Sequence, residues 1–252
     1  MIKDIISLSE IGLCRQENQD SVLAVNTGSA GLFIVADGMG GHYQGQLASQ
    51  TAMEFLKKWW ERIYKCIDSL PFSEIVTELE KKIKEINKSI FQIYKEKGQR
   101  GGTTLCLLLM RNNTYVVMNV GDSRLYRCKG WSCTQMTTDD VWENWIYKNK
   151  IYASNHLYKG KLVQALGINE DVMIHVYTGL LQKKEYFFLC SDGVYKYCSK
   201  QYLFWEIKKL FWKKDIVKVV ERIKKKIYKN GAKDNLSMIL FLAEPNKKDS
   251  KQ

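Results

Sequence analysis

The feature that most constrains this sequence is a set of apolar segments that end or begin at an aspartate. Three segments follow this pattern: Gly31–Ala36 ends before Asp37, Tyr186–Ser191 ends before Asp192, and Leu236–Leu242 follows Asp234 and Asn235. Short apolar segments of this kind, bounded by glycine, predict buried strands. Adjacent antiparallel strands place the end of one beside the start of the next. We therefore expect the three carboxylates to converge.

These carboxylates are candidate metal ligands. A carboxylate at the end of a buried strand is costly unless a positive charge meets it. The glycines after Asp37 let the backbone approach a ligand closely. Oxygen ligands without nearby His or Cys suit Mg²⁺ or Mn²⁺ rather than Zn²⁺ or Cu²⁺. One Asp-Gly pair alone is more often an ordinary turn, but three aspartates at strand ends favour a metal site.

Three further polar residues are candidates for the same site. Arg15 and Asp20 lie in a polar segment before the strand-like residues 21–25, and Asp122 lies in the turn Gly121–Arg124. Arginine can hold a phosphate through two parallel hydrogen bonds, so Arg15 is a candidate phosphate ligand; the alternative is a surface ion pair. For Asp122 the alternative is a simple turn residue.

The order of predicted elements indicates the fold class. Strands are followed by two amphipathic helices over residues 45–66 and from about Ser73, then by a meander of strands over 105–136. After an aperiodic excursion over 137–160 come more strands, two helices over 200–212 and 215–229, and a last strand. This order is not alternating βαβ, so it favours an α+β fold with two mostly antiparallel sheets flanked by helices.

Domain organisation follows from length and composition. The chain has 252 residues, only two prolines and no Ser/Gly-rich linker. We expect one domain over residues 1–245, followed by a polar tail over 246–252.

The net charge of +12 comes mainly from lysines, with the richest group at Lys224–Lys226, Lys229 and Lys233. A solvated helix face is the expected explanation. The functional alternative is attraction of anionic substrates such as phosphorylated segments. Nucleic-acid binding is disfavoured because no recognition motif accompanies the charge.

Cysteine usage and hydropathy bear on location. Seven cysteines without a C-x-x-C pair predict free thiols in a reducing compartment. Cys128 and Cys133 could face each other across a hairpin, but free thiols are favoured. The N-terminus lacks a signal-peptide pattern, and the longest apolar run, Leu105–Met110, is too short to cross a bilayer. We expect a cytoplasmic protein that does not bind membranes.

Taken together, the motifs resemble those of the metal-dependent protein serine/threonine phosphatases of the PP2C (PPM) family, in their compact bacterial form. The resemblance runs nearly end to end. It is carried by Arg15-x-x-Asn18-Gln19-Asp20, Asp37-Gly38-Met39-Gly40-Gly41-His42, Gly101-Gly102-Thr103-Thr104, Gly121-Asp122-Ser123-Arg124, Ala165-Leu166-Gly167, Ser191-Asp192-Gly193 and Asp234-Asn235.

The resemblance implies a four-layer α-β-β-α sandwich with a binuclear Mn²⁺ or Mg²⁺ centre at one end. In this chain Asp37 would bridge both ions, the Gly38 carbonyl would bind the second, and Asp192 and Asp234 would complete the first. The remaining roles would fall to three residues: Asp20 acting mainly through water, Arg15 binding the substrate phosphate, and Asp122 joining Asp192 in a weaker third metal site. A water activated between two cations can attack phosphorus in line, so no nucleophilic cysteine is required.

Some positions depart from the family pattern. Gln19 stands where Glu is frequent, Met39 where animal members have a His, and Asp140 where a His is frequent. His42 matches a bacterial motif position, with packing at a helix start and a role near the metals as the alternatives, and Asn235 is a second near-site candidate. The excursion over residues 137–160 would correspond to the variable flap of the family.

The leading hypothesis is a phosphatase that acts on phosphoserine and phosphothreonine in proteins and opposes a bacterial Ser/Thr kinase, as a monomer. The first alternative is a catalytically weak regulator with the same fold that binds phosphoproteins. The second is a polyanion-binding protein driven by the lysines, whose binding would weaken strongly with salt. Asp20, Asp37, Asp192 and Asp234 are all present, which favours the enzyme.

Overall fold

The structure is a computed structural model that describes residues 1–28, 30–41, 44–148 and 158–246. Within these ranges the strands are β1 (Ile2–Glu10), β2 (Asp20–Asn26), β3 (Ala30–Gly40), β4 (Gly101–Thr103), β5 (Leu105–Arg111), β6 (Thr114–Val120), β7 (Arg124–Lys129), β8 (Ser132–Gln135), β9 (His175–Leu180), β10 (Glu185–Cys190) and β11 (Leu236–Ala243). The helices are α1 (Gln44–Ile63), α2 (Phe72–Glu96), α3 (Trp142–Lys148), α4 (Asp192–Tyr195), α5 (Lys200–Lys208), α6 (Leu210–Lys213) and α7 (Ile216–Lys229).

The strands form two sheets. One has the order β1-β11-β10-β7-β8 and the other β2-β3-β5-β6-β9, with β4 paired to the end of β3. Every pairing between neighbouring strands is antiparallel. The prediction of two mostly antiparallel sheets is confirmed.

The two sheets pack face to face between helices, which gives four layers. Strand β3 shows why: Leu32 and Ile34 pack against α1 and α2, whereas Phe33 and Val35 point to the other sheet. This alternation follows from the two-residue period of a strand. Between the sheets, the rings of Phe33 and Phe241 stack with centroids 3.9 Å apart. Burying each such side chain contributes roughly 1.5–3 kcal/mol.

The helices cover the outer faces as their apolar spacing predicts. Helix α1 buries Ala48, Ala52, Leu56, Trp59 and Ile63 on one face, and α7 packs Ile223 and other residues onto the opposite sheet. The Asp215 carboxylate accepts a hydrogen bond from the Lys218 N–H and so caps the N-terminus of α7.

Two regions differ from the sequence predictions. The helix expected over 200–212 is divided at Lys209 into α5 and α6. The excursion over 137–160 is not entirely irregular, since it contains α3, in which Trp142 stacks against Trp145 and contacts Tyr158. Residues 149–157 of this excursion and residues 247–252 of the predicted tail lie outside the described residues.

The expectation of free thiols is wrong for one pair of cysteines. Cys128 and Cys133 are directly opposite in the β7–β8 hairpin, with Cα atoms 4.0 Å apart, and form a disulfide. The register of this short hairpin, rather than the count of cysteines, brings the sulfur atoms together. The other five cysteines are free thiols. No helix in the described part of the chain combines the length and the apolar character needed to cross a membrane.

Candidate active site

The predicted functional residues meet in an open cavity of about 270 Å³ at one end of the layer between the two sheets. Its charged lining comprises four acidic and two basic side chains: Asp37, Asp122, Asp192, Asp234, Arg15 and Lys196. These residues come from segments far apart in the sequence. The arrangement of strand ends brings them together.

The six-stranded sheet supplies Asp20 and Asp37. These residues are direct partners in the β2–β3 register, so their side chains lie on the same face. Asp37 has the same parity along β3 as Phe33 and Val35, and it therefore points into the layer between the sheets. A buried hydrophobic strand thus carries a carboxylate to the rim of the core.

The five-stranded sheet and a connecting turn supply the other acids. Asp192 lies two residues after the end of β10 and begins α4, while Asp234 lies two residues before β11. Strands β10 and β11 are antiparallel neighbours, so the end of one lies beside the start of the other. Asp122 occupies the turn from β6 to β7, where the chain passes from one sheet to the other.

The glycine after each of two aspartates is required by close packing of the backbone. A Cβ added at Gly38 would lie 2.1 Å from the Gly45 carbonyl oxygen, and one added at Gly193 would lie 1.8 Å from the Asn235 carbonyl oxygen. Real Cβ atoms do not approach oxygen so closely, and neither contact can relax without moving backbone. The Asp-Gly pairs therefore reflect the packing of the site as well as the turn chemistry seen in the sequence.

Hydrogen bonds fix the backbone and one carboxylate of the site. The Asp37 N–H donates to the Thr104 hydroxyl at 2.9 Å, and the Asp37 carbonyl accepts from the Thr104 N–H at 2.8 Å. The Ser191 hydroxyl donates to Oδ2 of Asp20 at 2.7 Å. Oδ1 of Asp20 is buried, and within the described residues it has no hydrogen-bond partner. This atom is therefore available to a cation or to a water.

The pKa values of three acids in the cluster are raised, because these carboxyl groups are buried and lie near one another. Burial, with a smaller contribution from Asp192 and Asp234, raises the pKa of Asp20 to about 7 despite the hydrogen bond from Ser191. Burial and then the neighbouring carboxylates also raise the pKa of Asp37 well above its ordinary value. Burial and Asp192 raise the pKa of Asp122 to about 6. A bound cation would oppose these shifts by favouring the ionised forms.

Two side-chain cations already contact the acids. Nε and Nη2 of Arg15 donate to Oδ1 and Oδ2 of Asp234 at 2.8 and 2.9 Å, which is a two-bonded pairing. The Nζ atom of Lys196 lies 2.5 Å from Oδ2 of Asp192. Asp192 and Asp234, the two acids that the family resemblance assigns to the first metal beside Asp37, are thus each paired with a cationic side chain.

The donor chemistry of the cavity fits a hard divalent cation. Carboxylate oxygens from Asp37, Asp192 and Asp234 and the Gly38 carbonyl lie in or beside one cavity, and Mg²⁺ and Mn²⁺ prefer oxygen ligands. The unpartnered Oδ1 atom of Asp20 adds a further acceptor. Within the described ranges, however, no three His, Cys, Asp or Glu side chains are arranged to hold one ion by themselves. Two of these acids, Asp234 and Asp192, instead contact the cationic side chains of Arg15 and Lys196.

Asn235 secures the segment that carries Arg15. Its Oδ1 atom accepts from the Gln19 N–H at 2.9 Å, and its amide donates to the carbonyls of Ile11 and Glu17, each at 2.9 Å. The Asn235 side chain is buried. Asn235, the residue after Asp234, therefore holds both ends of the segment between β1 and β2 in place.

The structure brings together most of the residues selected from the sequence. Arg15, Asp37, Gly38, Asp122, Asp192, Asp234 and Asn235 line the cavity, and Asp20 is the strand partner of Asp37. His42 lies outside the described residues.

Of the positions that depart from the family pattern, Gln19 and Met39 line the cavity. Asp140 instead accepts hydrogen bonds from the Gly121 N–H and the Gln164 amide and contacts His175. It therefore supports the turn that carries Asp122.

Sequence reasoning missed Lys196 and Tyr195. Lys196 lines the cavity, and the Tyr195 hydroxyl donates to Oδ2 of Asp122 at 3.0 Å. The available signal was the spacing of Asp192 and Lys196, because residues four apart are neighbours on a helix. That signal required the recognition of α4, a helix of only four residues.

Comparisons with known proteins agree with the geometry. The family model described as Protein phosphatase 2C matches residues 15–240. The serine/threonine phosphatase stp of Listeria monocytogenes is 34% identical over 191 residues, which cover 73% of this chain and 74% of that protein. The protein phosphatase PhpP of Streptococcus pneumoniae is 30% identical over 197 residues, covering 76% and 78%.

A comparison of structures supports the fold independently. The crystal structure of serine/threonine phosphatase Stp1 from Staphylococcus aureus matches with a TM-score of 0.83 at 23% identity, and the match covers 97% of this chain and 96% of that one. The family model and the two relatives lead to one assignment: the chain belongs to the protein phosphatase 2C family.

Proposed function

We infer that this chain is a metal-dependent protein serine/threonine phosphatase, which hydrolyses phosphoserine and phosphothreonine in proteins. One observation carries the inference: four carboxylates from separate strand ends line one open cavity together with an arginine. Membership of the protein phosphatase 2C family and the names of the relatives support it.

We propose that the cavity holds two ions, Mn²⁺ or Mg²⁺. Asp37 would contact both, the Gly38 carbonyl the second, and Asp192 and Asp234 the first, with Asp20 acting through water. When bound, the ions supply Lewis-acid activation of water and positive charge for the phosphoryl oxygens. The donor set described above and the unpartnered atom of Asp20 support this assignment.

The residues of the chain bind and orient the substrate. Arg15 can exchange its two hydrogen bonds with Asp234 for two with the phosphoryl oxygens, since both partners present paired oxygen acceptors. In that position its guanidinium offsets the negative charge of the transition state. Asn235 and Thr104 hold the backbone around Arg15 and Asp37 in place.

Further parts of the proposal concern partners and context. Phosphoproteins are the expected substrates, and a Ser/Thr protein kinase is the proposed counterpart. We propose a monomer with a single catalytic domain over residues 1–245 in the cytoplasm. Five free cysteines accord with that location, whereas the Cys128–Cys133 disulfide is an exception. A count of free thiols in the protein purified without reductant would test whether this disulfide forms.

The test of the function is hydrolysis of a phosphothreonine peptide with Mn²⁺, with Mg²⁺ and with EDTA. We expect turnover with metal, none with EDTA, and loss in Asp37→Asn and Asp192→Ala. Asp171→Ala, on an exposed residue outside the cavity, serves as the matched control and should retain activity. A folded protein that binds the phosphopeptide but never turns it over would refute the enzyme and favour the regulatory alternative.

A further inference from the structure

Lys196 is held beside the acids by the chain's own geometry. It lies four residues after Asp192 at the end of α4, and its Nζ atom is 2.5 Å from Oδ2 of Asp192. It also lies close enough to Asp122 and Asp37 to interact with both carboxylates electrostatically. The lysine side chain is about half exposed, so it spans the distance from solvent to the acids.

Tyr195, the residue before Lys196, binds Asp122 in a similar way. The Tyr195 hydroxyl donates to Oδ2 of Asp122 at 3.0 Å. The Tyr195 ring lies under the Arg124 guanidinium, 3.5 Å from the ring centroid, and Arg124 is bonded to both carboxylate oxygens of Asp139. Arg124 therefore fixes the tyrosine ring, and the consecutive residues Tyr195 and Lys196 at the end of α4 engage Asp122 and Asp192, respectively.

The charge balance of the site favours a single additional positive charge. Asp20, Asp37, Asp122, Asp192 and Asp234 carry five negative charges when ionised. Two divalent ions return four of these and the Lys196 ammonium supplies the fifth, while the Arg15 guanidinium, which also lines the cavity, remains to meet the substrate phosphate. A third divalent ion would leave the cluster with excess positive charge and would stand within a few ångströms of the ammonium. Like charges held so close together near a protein surface repel each other.

We propose that the Lys196 ammonium takes the place of a third metal ion between Asp192 and Asp122, so that this chain holds two metal ions and one built-in cation. The proposal rests on the two-metal site of the proposed function. It departs from the third metal site implied for Asp122 and Asp192 by the family resemblance. Tyr195 contributes by donating to Oδ2 of Asp122, one of the two carboxylate oxygens that such an ion could use.

The test counts Mn²⁺ ions bound by the full chain, from the electron paramagnetic resonance signal of free Mn²⁺ during titration. We expect the wild type to bind two ions. Lys196→Gln should bind a third ion at least about tenfold more tightly than the wild type does, because the competing charge is removed. Lys196→Arg, which retains the charge, and Lys200→Gln, outside the cavity, should behave as the wild type.

A double variant assigns the third ion to this position. In Lys196→Gln with Asp122→Asn, the additional ion should be lost again. The proposal is overturned if the wild type binds three ions, or if Lys196→Gln, with a native circular dichroism spectrum, binds only two. Neither outcome bears on whether the wild type hydrolyses the peptide, so the proposed function would stand. A wild type that binds no Mn²⁺ at all would instead remove the metal site on which the proposed function rests, and this inference with it.

Discussion

The two cation–carboxylate contacts of the cavity differ in how the chain supplies the cation. Arg15 reaches Asp234 from a segment 219 positions earlier in the sequence, and its side chain is 55% exposed. Lys196 reaches Asp192 from only four positions later in the sequence, at the residue that follows the last residue of α4. Both contacts neutralise an acid that we assign to the metal site, yet one depends on the tertiary fold and the other on local geometry.

This difference separates an exchangeable cation from a resident one. An exposed ion pair contributes only about 0–1 kcal/mol to stability, so Arg15 can leave Asp234 at little cost when a better partner arrives. A phosphoryl group offers the same paired acceptors as a carboxylate. The Lys196 side chain stays near Asp192 in any of its rotamers, because the backbone of α4 fixes the spacing of the two residues. The same acidic cluster thus has one cation suited to the substrate and one suited to permanent neutralisation.

The largest expected effect is a pH dependence of stability in the metal-free protein. The folded-state pKa of Asp20 is raised to about 7 from an unfolded value of 3.8, so the folded state binds this proton more tightly than the unfolded chain does. Stability from this group is therefore greatest at low pH and is lost as pH rises between these two values. We expect a loss on the order of 2–4 kcal/mol. Urea unfolding in EDTA at several pH values measures it.

Asp20→Asn isolates the contribution of this group. The difference in stability between variant and wild type should grow in favour of the variant as pH rises from about 4 to about 7. Saturating Mn²⁺ should cancel the trend, because the cations favour the ionised carboxylates. A difference independent of pH in EDTA would show that the two side-chain cations already neutralise the cluster, and would weaken the comparison drawn above.

The next effect concerns the exchangeable cation. Arg15→Ala should lower kcat/KM for a phosphothreonine peptide by about 10²-fold, the size expected for loss of one charge-stabilising group in a transition state. Arg15→Lys should recover only part of this, since lysine cannot form two parallel bonds. Steady-state kinetics at saturating Mn²⁺ provides the measurement. A loss below about threefold in Arg15→Ala would mean that Arg15 serves only as an ion-pair partner of Asp234.

A third effect tests whether the tertiary fold positions Arg15. Asn235→Ala removes three hydrogen bonds between a buried amide and the segment that carries Arg15. We expect a loss of about 1–3 kcal/mol of stability and a fall in kcat/KM of roughly tenfold as the segment loosens. Thermal unfolding and kinetics measure the two quantities.

Asn230→Ala is the matched control. The exposed amide of Asn230, at the C-terminal end of α7, makes one hydrogen bond among the described residues, to the Tyr197 carbonyl. This substitution should change both quantities far less. Equal effects of the two substitutions would show that Asn235 has no special role in positioning Arg15.

The same division between local and long-range contacts explains what the sequence could predict. The uninterrupted apolar run over Leu32–Ala36, bounded by glycine, is sufficient to predict a buried strand, and Asp37 stands at its end. Convergence of this acid with Asp192 and Asp234 was predictable because antiparallel order relates strand ends.

Contacts that depend on particular side chains across the fold were not predictable. The pairing of Arg15 with Asp234 spans nearly the whole chain, and no periodicity encodes it. The disulfide of Cys128 and Cys133 depended on the register of one hairpin, which the sequence left open. Lys196 was missed for a different reason: its signal is local, but a helix of one turn leaves too few residues to establish a helical period.

The smallest expected effect tests the local side of the comparison. Tyr195→Phe removes the hydroxyl that donates to Asp122 at 3.0 Å but retains the ring under Arg124. The loss should be about 0.5–1.5 kcal/mol in urea unfolding of the metal-free protein, the usual contribution of one hydrogen bond. Tyr197→Phe is a matched control, because in the part of the chain that is described the Tyr197 hydroxyl has no hydrogen bond. If the two variants lose equal stability, the hydrogen bond from Tyr195 to Asp122 contributes nothing to stability. The local contact that remains to be compared with the Arg15–Asp234 pair would then be the one between Lys196 and Asp192.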